Sequence, residues 1–187
     1  GVTIGNAGTV DLDGDVTGAT TVTISDVGTE IDLAAGVDIT ASGGNVDLNN
    51  TVAQIDLSGT TDTNTISASG SVELANVVDT GTTTATSPVE LVVTAGTGVT
   101  LGTVTLSNTL DVDFDTATGT STLNAGSLSA GTIEVDGVGT NDVMNFGSTV
   151  VSTVAGVTIG NAGTVDLDGD VTGCLLYTSD AADECDS

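Results

Sequence analysis

An apolar–acid–apolar triplet recurs along this chain and narrows the folds open to it. It reads Val10-Asp11-Leu12, Ile31-Asp32-Leu33, Val37-Asp38-Ile39, Val46-Asp47-Leu48 and Ile55-Asp56-Leu57, and continues as Val72-Glu73-Leu74, Val89-Glu90-Leu91 and Ile133-Glu134-Val135. Alternation with a period of two puts the apolar side chains on one face and the acid on the other, the pattern of a half-buried strand. Gly, Asn, Ser and Thr separate the triplets, and these are turn formers. No window carries the i, i+3, i+4 stripe of a helix.

A longer period overlies the short one. Leu91, Val112, Ile133 and Val154 are spaced by 21, as are Val72, Val93, Phe114 and Val135. Val10 with Ile31, and Leu12 with Leu33, repeat that spacing near the start. A coil of about 21 residues, with like positions stacked rung on rung, is a β-solenoid. One rung is too thin to bury its own apolar face; neighbours at about 4.8 Å complete it. The spacing predicts Leu91 over Val112 over Ile133, and Val93 over Phe114 over Val135. It also sets Glu90 beside Asp111, Asp113 beside Glu134, and Asp115 beside Asp136. The alternative is a set of tandem β-sandwich domains, which usually want an aromatic core; Phe114 and Phe146 are the only Phe here.

Composition excludes several roles. The 187 residues contain no Lys, Arg or His and 26 acids, for a formal charge of −26. Nucleic-acid binding rests on neutralising phosphates, and a chain without cations has nothing to do it with. Binding to anionic membranes is excluded for the same reason. No apolar run approaches the length of a membrane-spanning helix, and the start lacks the basic and apolar regions of a signal peptide. Without His there is no imidazole catalysis, and Cys occurs only near the end.

Residues 1–18, GVTIGNAGTVDLDGDVTG, recur letter for letter as residues 156–173. An offset of 155 implies a tandem array, of which this chain shows one period and the start of the next; the wrap of a sequence assembly around a repeat would look the same. The absence of an initiator Met agrees with a fragment. Because 155 is not a multiple of 21, some rungs carry insertions, expected near Gly137–Ser152. The rhythm stops at Cys174. The run CLLYTSDAADE, Cys174 to Glu184, resembles the in-frame translation of a transposase-based sequencing-library adapter. Residues 1–173 are therefore read as the solenoid region and 174–187 as a non-native tail with no packing role.

Three longer runs carry a family resemblance: GVTIGNAGTVDLDGDVTGATTVTI (1–24), LVVTAGTGVTLGTVTL (91–106) and TGTSTLNAGSLSAGTIEV (118–135). They resemble filamentous-haemagglutinin-type exoproteins and are similar to autotransporter passenger repeats. The resemblance implies an all-β, right-handed parallel β-helix exported by a Gram-negative bacterium. It also implies a secreted or cell-surface location and an adhesive role, with a host or environmental surface, a glycan or neighbouring repeats as partners.

Few residues suggest chemistry. Asp11, Asp13 and Asp15 lie in VDLDGDV, and Asp111, Asp113 and Asp115 form a second alternating triplet. Alternation brings each set to one outward face, so these six are the candidate calcium ligands. The Gly between the second and third acids and the missing Glu at the twelfth position depart from a helix–loop–helix calcium loop. Solvated acids on an exported rod explain the same residues. No cofactor is required on this reading; calcium is the one considered. GVGTNDVMNF (137–146) echoes one degenerate copy of the calcium-binding nonapeptide of secreted toxins. Thr61, Thr63 and Thr65, set 21 before Thr82, Thr84 and Thr86, echo the Thr rows of ice-binding solenoids. Acid pairs can hydrolyse glycosides, but nothing singles out one pair, and the chain is read as a non-enzyme.

Overall fold

The computed structural model describes residues 1–49, 53–58, 63–79, 90–115 and 119–178. All regular structure among them is β, and every strand pair is parallel. The chain winds into a β-solenoid of about seven turns, ~23 residues each. Each turn lays down three strands, one on each of three faces. In the first turn these are Val2–Gly5, Thr9–Leu12 and Val16–Gly18; in the second, Val22–Ser25, Glu30–Leu33 and Ile39–Ala41. First-face strands form an 8-stranded sheet. The other two faces join in a 14-stranded sheet, because Leu128–Asp136 and Val150–Gly160 run around the corner between them without a break.

Each face carries an apolar column along its length, with a second inward position beside it in the longer strands. On the first face Val2, Val22, Val46, Val72, Val99, Leu123, Met144 and Val165 stand in register. On the second it is Val10, Ile31, Ile55, Val77, Val104, Leu128, Val150 and Val171. The third column is Val16, Ile39, Ile66, Val93, Val112, Val135 and Ile159, with the backbone of Tyr177 in register beyond them. Inner members such as Ile31, Ile66, Val112 and Leu123 are wholly buried. Stacking like on like gives the close packing that a single rung lacks.

The 21-residue alignment holds on the second face of the first two turns and returns in Leu123–Met144–Val165 and Val150–Val171, but it slips between. Val10 pairs with Ile31 and Leu12 with Leu33, as the spacing predicts. Leu91, however, pairs with Leu110 rather than Val112, and Ala95 rather than Val93 pairs with Phe114. Leu110 in turn lies under Ile133 and Val112 under Val135. The two turns between Leu91 and Ile133 have 19 and 23 residues, which average to 21. A slip of two residues keeps inward side chains inward, so alternation cannot detect it. Val154, assigned to the same column, is 80% exposed. It sits in a bulge where Thr153, Val154 and Ala155 together stand opposite the single residue Gly131, two more than the partner strand. Ser152 closes that bulge: its Oγ donates to Gly131 O at 2.8 Å and accepts from Gly156 N at 2.8 Å. Gly156, at φ 131°, occupies backbone space open mainly to glycine. The insertion therefore lies just beyond Gly137–Ser152. Longer turns of 27 residues come earlier, from Ile66 to Val93 and from Val72 to Val99.

The two identical 18-residue segments fold alike locally but sit differently in the coil. VTIG is on the first face in the first copy and on the third face in the second; TVDL moves from the second face to the first. Both copies turn their corner at an Asn with positive φ, 57° at Asn6 and 51° at Asn161. Asn tolerates the left-handed region better than most residues, so the tetrapeptide Gly-Asn-Ala-Gly carries its corner to whichever face it meets. Asp26 makes a like corner at φ 54°.

Strand pairing also runs past residue 173. Leu175–Thr178 pairs with Val157–Gly160, so the start of the adapter-like segment does take part in the coil. Of its side chains, Leu176 is 55% exposed and Cys174 is an exposed free thiol.

Candidate functional site: acid ladders and a hydroxyl-lined groove

Parallel stacking turns the repeated triplets into outward ladders of carboxylates. Asp11, Asp32 and Asp56 stand in register on the second face. Asp47 and Glu73 adjoin on the first. On the third, Asp111 pairs with Glu134 and Asp113 with Asp136. The last two replace the contacts expected from the 21-residue frame. Glu90 instead registers with Thr109, and Asp115 lies beyond the paired segment, its N–H donating to Ala95 O at 3.0 Å. Burial, and then the charge of Asp136, hold the Asp113 carboxyl above the ordinary aspartate range. In the second-face ladder, Asp56 is only 8% exposed and Asp32 Oδ1 is buried with no hydrogen-bond partner.

The six candidate calcium ligands fall into separate places. Asp11 is outward in its strand and Asp13 is exposed just after it. Asp15 is a corner strap: its Oδ1 accepts from Asp38 N of the next turn at 3.1 Å. Asp38 passes the device on, accepting from Thr65 N at 3.2 Å, and Asn45 does the same for Ser71 N at 3.0 Å. Asp111 and Asp113 belong to the third-face ladder, while Asp115 opens onto a groove. Among the described residues no three acids, Cys or His converge as a metal-binding group would.

That groove, a cavity of ≈ 200 Å³, is lined by Thr40, Ser42, Ser67, Ser69, Thr94 and Asp115, with Ala41 and Ala68 at its floor. Ser67 Oγ and Thr40 Oγ1 hydrogen-bond at 3.3 Å. The lining is hydroxyl and carboxylate, which suits a neutral polyol better than an anion. It holds neither a cation nor an imidazole, so no general acid–base pair is assembled there.

Two polar residues escaped the sequence reading. Asp142, wholly buried, accepts from Ser121 N at 2.8 Å, Val138 N at 2.7 Å and Gly139 N at 3.0 Å. The GVGTND run thus ends in a carboxylate that closes its own loop and ties it to the preceding turn. Asn64 is also wholly buried, donating from Nδ2 to Ala34 O at 2.8 Å and Val37 O at 3.2 Å. The signal for Asn64 was present: it holds an inward place in the alternation of Thr63, Asn64, Thr65 and Ile66. The Thr rows do not assemble as an ice-binding face would need, because Thr63 registers with Glu90 and Thr65 with Val92. Thr61, Thr82, Thr84 and Thr86 lie outside the described residues.

In comparisons with known proteins, no family model, no curated protein and no solved structure matches the chain. The class the fold defines is the parallel β-solenoid.

Proposed function

We propose that the chain is a structural and adhesive repeat segment of a large secreted bacterial surface protein, similar in kind to filamentous-haemagglutinin-type exoproteins, and that it performs no catalysis. The observation that supports this most is the continuity of the three apolar columns from the first turn to the last. Such a coil gains length in even steps, and its outward positions are free for display. Acids are spread along it in ladders, as solubility and spacing require, rather than gathered with a base. The hydroxyl-lined groove at Thr40, Ser67, Thr94 and Asp115 is the surface on which a glycan would rest. The test is retention of chain-coated beads on cells and on immobilised neutral glycans under flow, with polysaccharide hydrolysis assayed in parallel. Retention without cleavage is expected, weakened by Thr94→Val with Asp115→Asn. Hydrolysis of any polysaccharide, or retention indifferent to those substitutions, would defeat the reading.

A calcium-stabilised surface-layer or matrix module is the second reading. It is favoured by Asp32 Oδ1, buried without a partner between Asp11 and Asp56. A cation bridging these carboxylates would bind only the folded register and stabilise it by linkage.

A further inference from the structure

We infer that the hydroxyl-lined groove takes an amino sugar, with the sugar hydroxyls lying over the second to fourth turns and the ammonium group held at the fifth by Asp115, beside Asp113. This rests on the glycan-binding role proposed above and names the class of glycan.

The groove is built from two outward rows on the third face. Thr40, Ser67, Thr94 and Asp113 stand in register, one per turn. Two residues further along each strand come Ser42, Ser69, Gly96 and Asp115. The N–H of each of these donates to the turn below at the same step, to Gly18 O, Ala41 O, Ala68 O and Ala95 O. The second row therefore stacks as the first does. Steps along a row are about 4.8 Å, and the rows lie about 6.6 Å apart across the strand. Ala41 and Ala68 form the floor between them. The groove spans the second to fifth turns and has further coil on both sides.

The chemistry of the walls changes along the axis. Over the second to fourth turns the side chains are hydroxyls, with Gly96 the one exception. Each hydroxyl can both donate and accept, as Ser67 and Thr40 do with one another at 3.3 Å. Sugar hydroxyls have the same dual character. At the fifth turn both rows become carboxylates, which only accept. The chain has no Lys, Arg or His to pair with them. Asp115 is exposed. Burial, and then Asp136 in register one turn on, hold the Asp113 carboxyl above the ordinary range. An ammonium brings three donors and a positive charge, so one such group can serve both acids. A neutral sugar hydroxyl brings a single donor. An acidic sugar would bring a like charge to a chain that already carries −26. Among the described residues no third acid, Cys or His joins the pair as a metal centre would need.

The test is calorimetric titration of the full chain with three soluble trisaccharides of one linkage: β-linked glucosamine, its N-acetylated form and plain glucose. The pH is one at which the sugar amine is protonated. The glucosamine trisaccharide should bind about tenfold tighter than either uncharged sugar, and Asp115→Asn should erase that advantage. Thr94→Val should weaken all three sugars alike. Glu73→Gln, on the first face, removes the same single charge and should leave the advantage intact. Asp113→Asn is the second variant should Asp115→Asn lower the unfolding midpoint. Equal binding of the three sugars would overturn the inference and leave the glycan-binding role standing; binding of none would remove both. An advantage lost equally in Glu73→Gln and Asp115→Asn would trace it to the overall charge and also overturn the inference.

Discussion

The Asp113–Asp136 contact lends itself to a quantitative test by Asp113→Asn, which keeps the shape and removes one charge. The two residues stand in register on adjacent turns. At ~4.8 Å, two unit charges repel by about 0.9 kcal/mol in bulk water and by about 3.5 kcal/mol at an effective dielectric of 20. Asp113 is half-buried, so the lower end governs, and no Lys or Arg in the chain offsets it. Asp113→Asn should stabilise the fold at neutral pH and low salt by about 1 kcal/mol, roughly 2–4 °C for a chain of this size. The pH dependence follows from the raised carboxyl, whose ordinary value is 3.8. The folded state holds this proton more tightly than the unfolded chain does. Its contribution to stability is therefore fully present below 3.8 and lost as pH rises through the folded value. Urea unfolding of wild type and variant at neutral pH and below 3.8 measures both effects. The gain should vanish at the acid end, and the slope m should not change. A variant less stable than wild type at neutral pH, or a gain that persists unchanged in acid, would refute the reasoning.

Three further outcomes are expected. Ile133→Asp places a charge at a wholly buried site between Leu110 and Val157; it should cost at least about 3 kcal/mol and abolish cooperative unfolding, read by circular dichroism. Asp142→Ala strips the acceptor from three backbone N–H groups and should lower stability by about 2–4 kcal/mol in denaturant titration, with Asp142→Asn intermediate. Millimolar calcium should raise the unfolding midpoint more than sodium at equal ionic strength, and Asp32→Asn should shrink the difference; equal shifts would mean screening alone.

The coil was legible because alternation and triplet spacing are local, and stacking requires the same residue types at each turn. Its register was less legible for a physical reason. Turns vary from 18 to 27 residues, and any even slip leaves Leu91, Val112 and Ile133 facing inward. Only the true column, Leu91 on Leu110 on Ile133, distinguishes the alignments, and it depends on how much chain each corner takes up. Polar straps were hidden for another reason. Asp15 and Asp38 read as solvated acids in sequence, but each accepts a hydrogen bond from the turn above. Asp142 looked like a degenerate ligand in a calcium repeat, and its three amide contacts come from a loop whose closure no spacing rule describes. The groove beside Asp115 joins residues from four successive turns, so no window of sequence contains it.

The displacement of the two identical segments has a consequence for any tandem array built on this chain. From Val2–Gly5 to its copy at Val157–Gly160 the coil advances by 20 strands at three per turn. Each 155-residue repeat then ends a third of a revolution short of completing its seventh turn. Successive repeats would present a given motif on the first, third and second faces in order, returning to the same side only after three repeats, about 96 Å along the axis. The array would behave as a slow screw. A flat partner lying along one side would meet VDLDGD at that long pitch, while partners surrounding the rod would meet it three times as often, distributed evenly about the axis.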